Sequence, residues 1–480
     1  MTGVPAVRGA SALQSASLFI LFLLLGPSLH FLMLANMPPF DDKRILQLIA
    51  LGLVLLGCYL GGKACPVKGK HHRPVSFALI ALGLLAVLSS LSAPSPRHAW
   101  LEVSTFVGLG YLAVFIATCV LRYRDGFFHA VVATLAVGAG LYMTGFFSGY
   151  VASFIEGIPL VWPEPFYMLS NVRQFNQYQL WTLGLLMLPV LPGCGLEAAY
   201  RRWFSLFLSA WWVLLFASGS RGVLLAWLLA LAMTAVVYQT LARPLLWAQI
   251  KHGVFGLAGY CLLFIGLPRL NNGGGAVIQT ALRNQTEDRL YLWGHAWAMI
   301  KTHPWLGVGP MHFAWYPNDT GAHPHNSVLQ LAAELGLPAI ILVLLLTGHG
   351  LICWLQRYNA RTLADESAFK IAVVITLFFT LVMTAAYSLV DGVIVMPLSQ
   401  VMMALMVGLA MGVYRQQVPA TETQKPGAAM RLLAGATLAA LVWAVLPDLL
   451  PRITGNERFC PVAYQVEGPR FWQEGGIPQQ

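Results

Sequence analysis

Charge is what this sequence has least of. Asp, Glu, Lys and Arg make up 10% of its 480 residues, and 58% are hydrophobic. Soluble domains carry roughly 25% charged and about 45–50% apolar residues. So little charge cannot cover a water-facing surface, which excludes an ordinary soluble enzyme. Short segments of alternating hydrophobicity are also missing, which argues against a membrane β-barrel. The seven cysteines form neither a C-x-x-C pair nor a Cys/His grouping, so no structural zinc site is expected. Cys460 alone falls in a segment expected outside the membrane, which leaves no intramolecular disulfide there, and the cysteines read as small apolar residues. No paired-aspartate metal motif stands out on the outer side: Asp319 is isolated, and Glu287 and Asp288 are merely neighbours. Neither a metal nor a cofactor is expected, and there is no internal repeat.

What is present is a series of apolar runs near the length that crosses a bilayer, about 20 residues. The fold class is an all-α polytopic membrane protein with about 12–13 transmembrane helices. Spans are expected near 16–35, 44–60, 75–92, 100–121, 127–148, 177–192, 202–217, 221–240, 250–267, 326–355, 368–390, 394–414 and 431–447. The formal charge of +10 does not point to nucleic acid. With the N-terminus inside, seventeen of the 29 Lys and Arg fall in inside segments, mostly short loops, as the positive-inside rule requires. Nine spans then precede residues 268–325, so this long polar loop faces outward, and so do the segment 149–175 and the tail 448–480. In a two-membrane bacterium, that places the chain in the inner membrane with the loop in the periplasm.

The loop carries the groups with chemistry. Residues 283–302 read as an amphipathic helix on the outer membrane surface, with Arg289, Trp293 and Trp297 on one face. The Asn/Gly stretch before it reads as a flexible hinge. Asn326 and Ser327 suit the N-cap of a helix that continues as the next span. Arg173, Arg221 and Arg289 come from three separate segments expected at one membrane surface, and arginine grips phosphate oxygens through a fixed, always-charged fork. His323 and His325 flank Pro324 at the start of a helix, where an imidazole titrates near neutral pH and can take a proton from a hydroxyl. His295 and His303 read as surface residues of the amphipathic helix. Glu334, placed inside a span, is costly unless paired, so it is expected to neutralise an arginine or cap a polar pocket.

Taken in order, SGSRG (218–222), RLYLW (289–293), HPWLGVGP (303–310) and HPHNSVLQLAAELG (323–336) resemble the O-antigen ligase superfamily. That group includes lipopolysaccharide O-antigen ligases, O-antigen polymerases and bacterial protein O-oligosaccharyltransferases. The motif-bearing part covers 170–345. The resemblance implies an integral membrane glycosyl-transfer domain over 1–447 and a short periplasmic tail over 448–480. It implies transfer of a glycan from an undecaprenyl-diphosphate-linked donor to a hydroxyl of a pilin-like protein or of lipid A-core, without a metal and without nucleic acid. By motif, Arg221 and Arg289 are diphosphate contacts, with Arg173 a third, and its RQFNQ setting departs from the commoner forms. His325 is the catalytic base and His323 the second candidate, with Asn326 and Glu334 in support. A polymerase of the same superfamily and a lipid-linked oligosaccharide flippase are the alternatives. A flippase would gather polar residues near the bilayer midplane, often in repeated halves.

Overall fold

The computed structural model describes residues 38–61, 73–161, 166, 169, 172–271, 273–278, 285–318, 320–416, 426–454, 470–473 and 475–477, together with residue 19. The expected first span at 16–35, Cys65, Cys460 and Asp319 lie outside the described residues, residue 19 apart. Helices dominate: α1 (Pro39–Tyr59), α2 (Arg73–Ser92), α3 (Pro96–Glu156), α4 (Val172–Leu185), α5 (Ala198–Ser218), α6 (Arg221–Tyr238), α7 (Arg243–Tyr260), α8 (Gln285–Thr302), α9 (Ser327–Leu335), α10 (Leu337–Arg357), α11 (Ala360–Ala364), α12 (Ala368–Tyr387), α13 (Pro397–Arg415) and α14 (Ala428–Thr454). Past Tyr260, the α7 rod continues through a π-helical turn, Cys261–Gly266, to Leu270. The strands described are a parallel pair of two residues each, Leu160–Val161 and Val277–Ile278.

Seven helices among the described residues are long and apolar enough to cross a membrane. Two of these runs, Pro96–Glu156 and Arg221–Leu270, are 61 and 50 residues long. At about 1.5 Å per residue, each far exceeds a hydrocarbon core of about 30 Å. Both contain a break where a non-glycine residue takes a positive φ: Arg124 at 48° and Gln239 at 50°. The chain is an all-α polytopic membrane protein.

The chain divides into two compact units. One draws its described helices from Tyr123–Arg283 and Tyr358–Tyr387, the other from Leu32–Arg122, Asn284–Arg357 and Ser388–Gln480. In the first, α5 packs along α7, and α12 along α6 and α4. Buried Trp211, Trp212, Tyr178 and Phe175 fill its centre. The Asn/Gly stretch expected to be a hinge is docked in this unit. The Gly275 N–H donates to the Ile158 carbonyl at 3.1 Å, and Leu160 N–H donates to the Ala276 carbonyl at 2.7 Å. Backbone pairing, which a glycine-rich stretch permits by bringing chains close, holds it in place.

In the second unit, α1 packs on α14 and α13. One face of α8, namely Leu292, Ala296, Met299 and Ile300, closes on Ala332 and Ala333 of α9 and on Val308, Phe313 and Ile340. Leu290, Tyr291 and Trp297 on the rest of α8 are exposed. α8 thus packs one apolar face inward and leaves large apolar side chains exposed on another. The span expected at 326–355 is in fact two helices. Gly336 takes φ 85°, and a Cβ there would strike the Trp305 carbonyl, so α9 stops at Leu335 and α10 starts anew with Pro338 in its first turn. Glu334 therefore sits at the end of a short helix before the span, not inside it.

Candidate functional site

The histidine motif is built by helix ends. The Asn326 side chain accepts N–H bonds from Val328 and Leu329, both at 3.0 Å, and so caps α9. At the other end, the HPWLGVGP turn serves as a cap made from a distant segment. Val308 N–H donates to the Ala333 carbonyl at 2.9 Å and Gly309 N–H to the Glu334 carbonyl at 3.0 Å. Carbonyls that the helix cannot satisfy itself are thus paired. Gly307 makes this approach possible, because any Cβ on it would collide with the backbone of Glu334.

His325 follows Pro324 in a left-handed backbone conformation, φ 51°, which costs a non-glycine residue about 1–3 kcal/mol unless its surroundings enforce it. Three bonds enforce it. Trp293 of α8 donates its indole N–H to the Pro324 carbonyl at 2.9 Å. Asn326 donates its amide to the Leu389 carbonyl at 3.0 Å, and Ser327 N–H donates to the Ser388 carbonyl at 2.9 Å. The last two tie the motif to the 388–396 turn, and that turn presents Asp391.

Asp391 is 1% exposed. Its Oδ1 lies 3.8 Å from His325 Nδ1 and accepts the Gly392 N–H at 2.6 Å. The separation from His325 is an ion-pair distance rather than a hydrogen bond. His323 is 3% exposed, its ring centroid 4.1 Å from that of His325, and it packs on Gly392 so closely that a Cβ there would overlap the ring. The His323 Nδ1 accepts the His325 N–H at 3.3 Å. Of the two expected bases, His325 is half-buried and His323 is buried.

Other histidines are engaged elsewhere. His312 donates from Nδ1 to the Pro310 carbonyl at 2.7 Å, while its Nε2 accepts the Ser95 N–H at 3.0 Å. Burial pushes its pKa down to about 4, so it is a neutral structural residue. His295, expected at the surface, is half-buried against Phe313, and burial lowers its pKa. His303 is exposed as expected.

Arg289 sits on α8 one turn before Trp293, on the face that reaches the histidine motif. It is half-buried, and its Nε is shielded from solvent with no hydrogen-bond acceptor among the described residues. That Nε–H remains a donor that an anion could accept from. Arg221 and Arg173 belong to the first unit. Arg221 is exposed at the first position of α6, behind the capping side chain of Ser220, whose oxygen accepts the Val223 N–H at 3.4 Å. Arg173 is half-buried in the first turn of α4, whose following polar residues Gln174, Asn176, Gln177 and Gln179 are buried.

Glu334, 2% exposed, is paired by an arginine that the sequence reading did not single out. Arg470 Nη2 lies 2.8 Å and 2.7 Å from its two oxygens, and Glu334 Oε1 also accepts the Phe313 N–H at 3.1 Å. Burial pushes the Glu334 carboxyl up from the usual range, and Arg470 opposes that shift. Asp391 was missed as well. Its signal was a lone carboxylate inside the apolar run SLVDGVIV (388–395), of the kind that is costly in a membrane unless it has a task.

Among the described residues, no group of three or more His, Cys, Asp and Glu side chains could hold a metal ion. Residues 204–344 match a family model described as O-antigen ligase. The matched range contains Arg221, Arg289, His323, His325, Asn326 and Glu334, and it excludes Arg173, Asp391 and Arg470. No curated protein matches the chain.

Proposed function

We propose that the chain, whose residues 204–344 match a family model described as O-antigen ligase, transfers a glycan from a lipid diphosphate to a hydroxyl acceptor. The pairing of His325 with Asp391 carries this reading. His325 is held in a left-handed conformation beside a buried carboxylate at 3.8 Å, at the start of a capped helix. The neutral imidazole takes the proton of the acceptor hydroxyl as its oxygen attacks the anomeric carbon. The bond from that carbon to the diphosphate breaks, and the electron pair leaves with the phosphate. Asp391 faces the imidazolium that forms, and a fixed carboxylate there lowers the cost of the developing positive charge. The charge on the departing diphosphate is balanced by arginine. Arg289, with its unshared Nε, supplies one contact in this proposal, and Arg221 and Arg173 are the further candidates. Attack opposite the leaving group inverts the anomeric centre. No step requires a metal.

The donor we propose is an undecaprenyl-diphosphate-linked glycan, used on the periplasmic face of the inner membrane. The acceptor hydroxyl belongs to a pilin-like protein, to lipid A-core, or, for a polymerase, to another glycan repeat. Deleting the gene and examining pilin by mass spectrometry and lipopolysaccharide by gel identifies it by which one loses sugar. The residue-level test is His325→Ala in membranes supplied with lipid-linked donor. Loss of general base catalysis is worth about 10²–10⁴ in rate, so transfer should fall by at least that factor at normal expression. Wild-type rates in that variant would remove the base assignment.

A further inference from the structure

Of the described residues 470–473 and 475–477, most are buried in the second unit. Arg470, Phe471, Trp472 and Ile477 are 1%, 4%, 7% and 3% exposed. Their backbone is received by side chains of α1. Arg44 Nε donates to the Phe471 carbonyl at 2.8 Å and Arg44 Nη2 to the Arg470 carbonyl at 3.1 Å, while the Gln473 N–H donates to Asp41 Oδ1 at 2.8 Å. The Trp472 indole donates to Asp448 of α14 at 3.1 Å, and the Ile477 N–H donates to the Ala314 carbonyl at 3.2 Å. A segment held by this many buried bonds is part of the core.

The charge it brings in is Arg470. Besides Glu334, its Nη2 lies 3.1 Å from Glu102 Oε1 of α3. With the Gln330 amide oriented oxygen-inward, that oxygen accepts from both terminal nitrogens of Arg470. Gln330 and Glu334 are one turn apart and therefore on one face of α9. Arg470 thus grips α9 at two points, and Glu334 extends the grip to the 312–315 turn through Phe313 N–H. At nine residues, α9 is a rod about 13 Å long. Its N-terminal end is Asn326, next to His325. The partner of His325, Asp391, is on another segment, so any sliding or tilting of the rod changes their separation.

Building on the glycan-transfer reading, we infer that Arg470 is a positioning residue for the histidine motif: by clamping Gln330 and Glu334, the C-terminal segment sets the axial placement of α9 and hence the approach of His325 to Asp391 and to substrate. Misplacing a catalytic group by about 1 Å can cost about 10²-fold in rate.

The experiment compares full-length wild type with Arg470→Gln, Arg470→Lys, Glu334→Gln and the double variant Arg470→Gln/Glu334→Gln. Each is purified in detergent and checked by thermal unfolding. Diethyl pyrocarbonate labelling of His325, followed by peptide mass spectrometry without substrate, reports on the histidine independently of any transfer reaction. Expected is a several-fold change in the His325 labelling rate in Arg470→Gln. In the transfer assay, kcat should fall about 10- to 100-fold while KM for the donor is unchanged. The double variant removes both charges of this pair but leaves Glu102, 3.1 Å from Arg470 in the wild type, without that partner, so thermal stability should recover in part, and kcat and the wild-type labelling rate should not recover. Should Arg470→Gln fail to fold, the same comparison is made with Arg470→Lys and the double variant. An unaltered His325 labelling rate in the folded variants overturns the inference, as does full recovery of kcat in the double variant. If instead His325→Ala retains transfer while labelling still responds to Arg470, the assignment of His325 as base fails and the mechanical coupling stands.

Discussion

At the scale of single residues, what decides the site is how closely groups are crowded around two imidazoles. Gly392 has no side chain because His323 occupies the space a Cβ would take. Gly392→Ala must displace that ring, whose centroid lies 4.1 Å from that of His325. Overpacking of this kind costs about 1–3 kcal/mol. The expected outcome is a lower unfolding temperature together with a loss of transfer, read on the same purified sample. Asp391 shows what a reading by local pattern overlooks. It is one residue in an apolar stretch, and its meaning comes from a histidine 3.8 Å away that belongs to a different segment.

At the scale of elements, α9 is the helix that follows the proposed base. It is short, capped at both ends, and joined at each end to a separate stretch of chain. Its N-terminal cap was legible because an Asn-Ser pair before an apolar helix is a local signal. Its early stop was harder to read, since Gly336 and Pro338 sit in a continuous apolar run whose hydropathy does not change. Asn326 performs two separable tasks, and the variants separate them. Asn326→Ala removes the cap and should cost about 1 kcal/mol, measured by thermal unfolding. Asn326→Asp keeps an oxygen for the cap but has no amide to give the Leu389 carbonyl, now bonded at 3.0 Å. It should unfold near the wild-type temperature and still transfer more slowly. Equal activity of Asn326→Asp and wild type would show that the tie to the 388–396 turn does not matter for transfer.

At the scale of the whole molecule, each unit is assembled from stretches far apart in the chain, and the candidate residues divide between them: Arg173 and Arg221 in one, Arg289 and the histidines in the other. The proposed diphosphate contact is tested on each arginine by itself through the same kinetic signature. Arg221→Ala and Arg289→Ala should raise the apparent KM for donor, and Arg173→Ala should do so to a lesser degree. An arginine-to-phosphate hydrogen bond is worth about 1.5–3 kcal/mol, so the rise should be about tenfold or more. Unchanged donor KM in both of the first two variants would remove the diphosphate role.

The membrane class, the approximate position of nearly every described helix, and the histidine motif with its cap were determined by the sequence alone. The reason is that each rests on neighbouring residues: an apolar run long enough for a bilayer, or a polar side chain next to the backbone it caps. The pairing of His325 with Asp391, the division of one expected span at Gly336, and the burial of Arg470 against Glu334 across 136 residues of chain were decided only by the tertiary structure. A lone charge in an apolar sequence announces that it needs a partner, and only the folded chain brings that partner within reach.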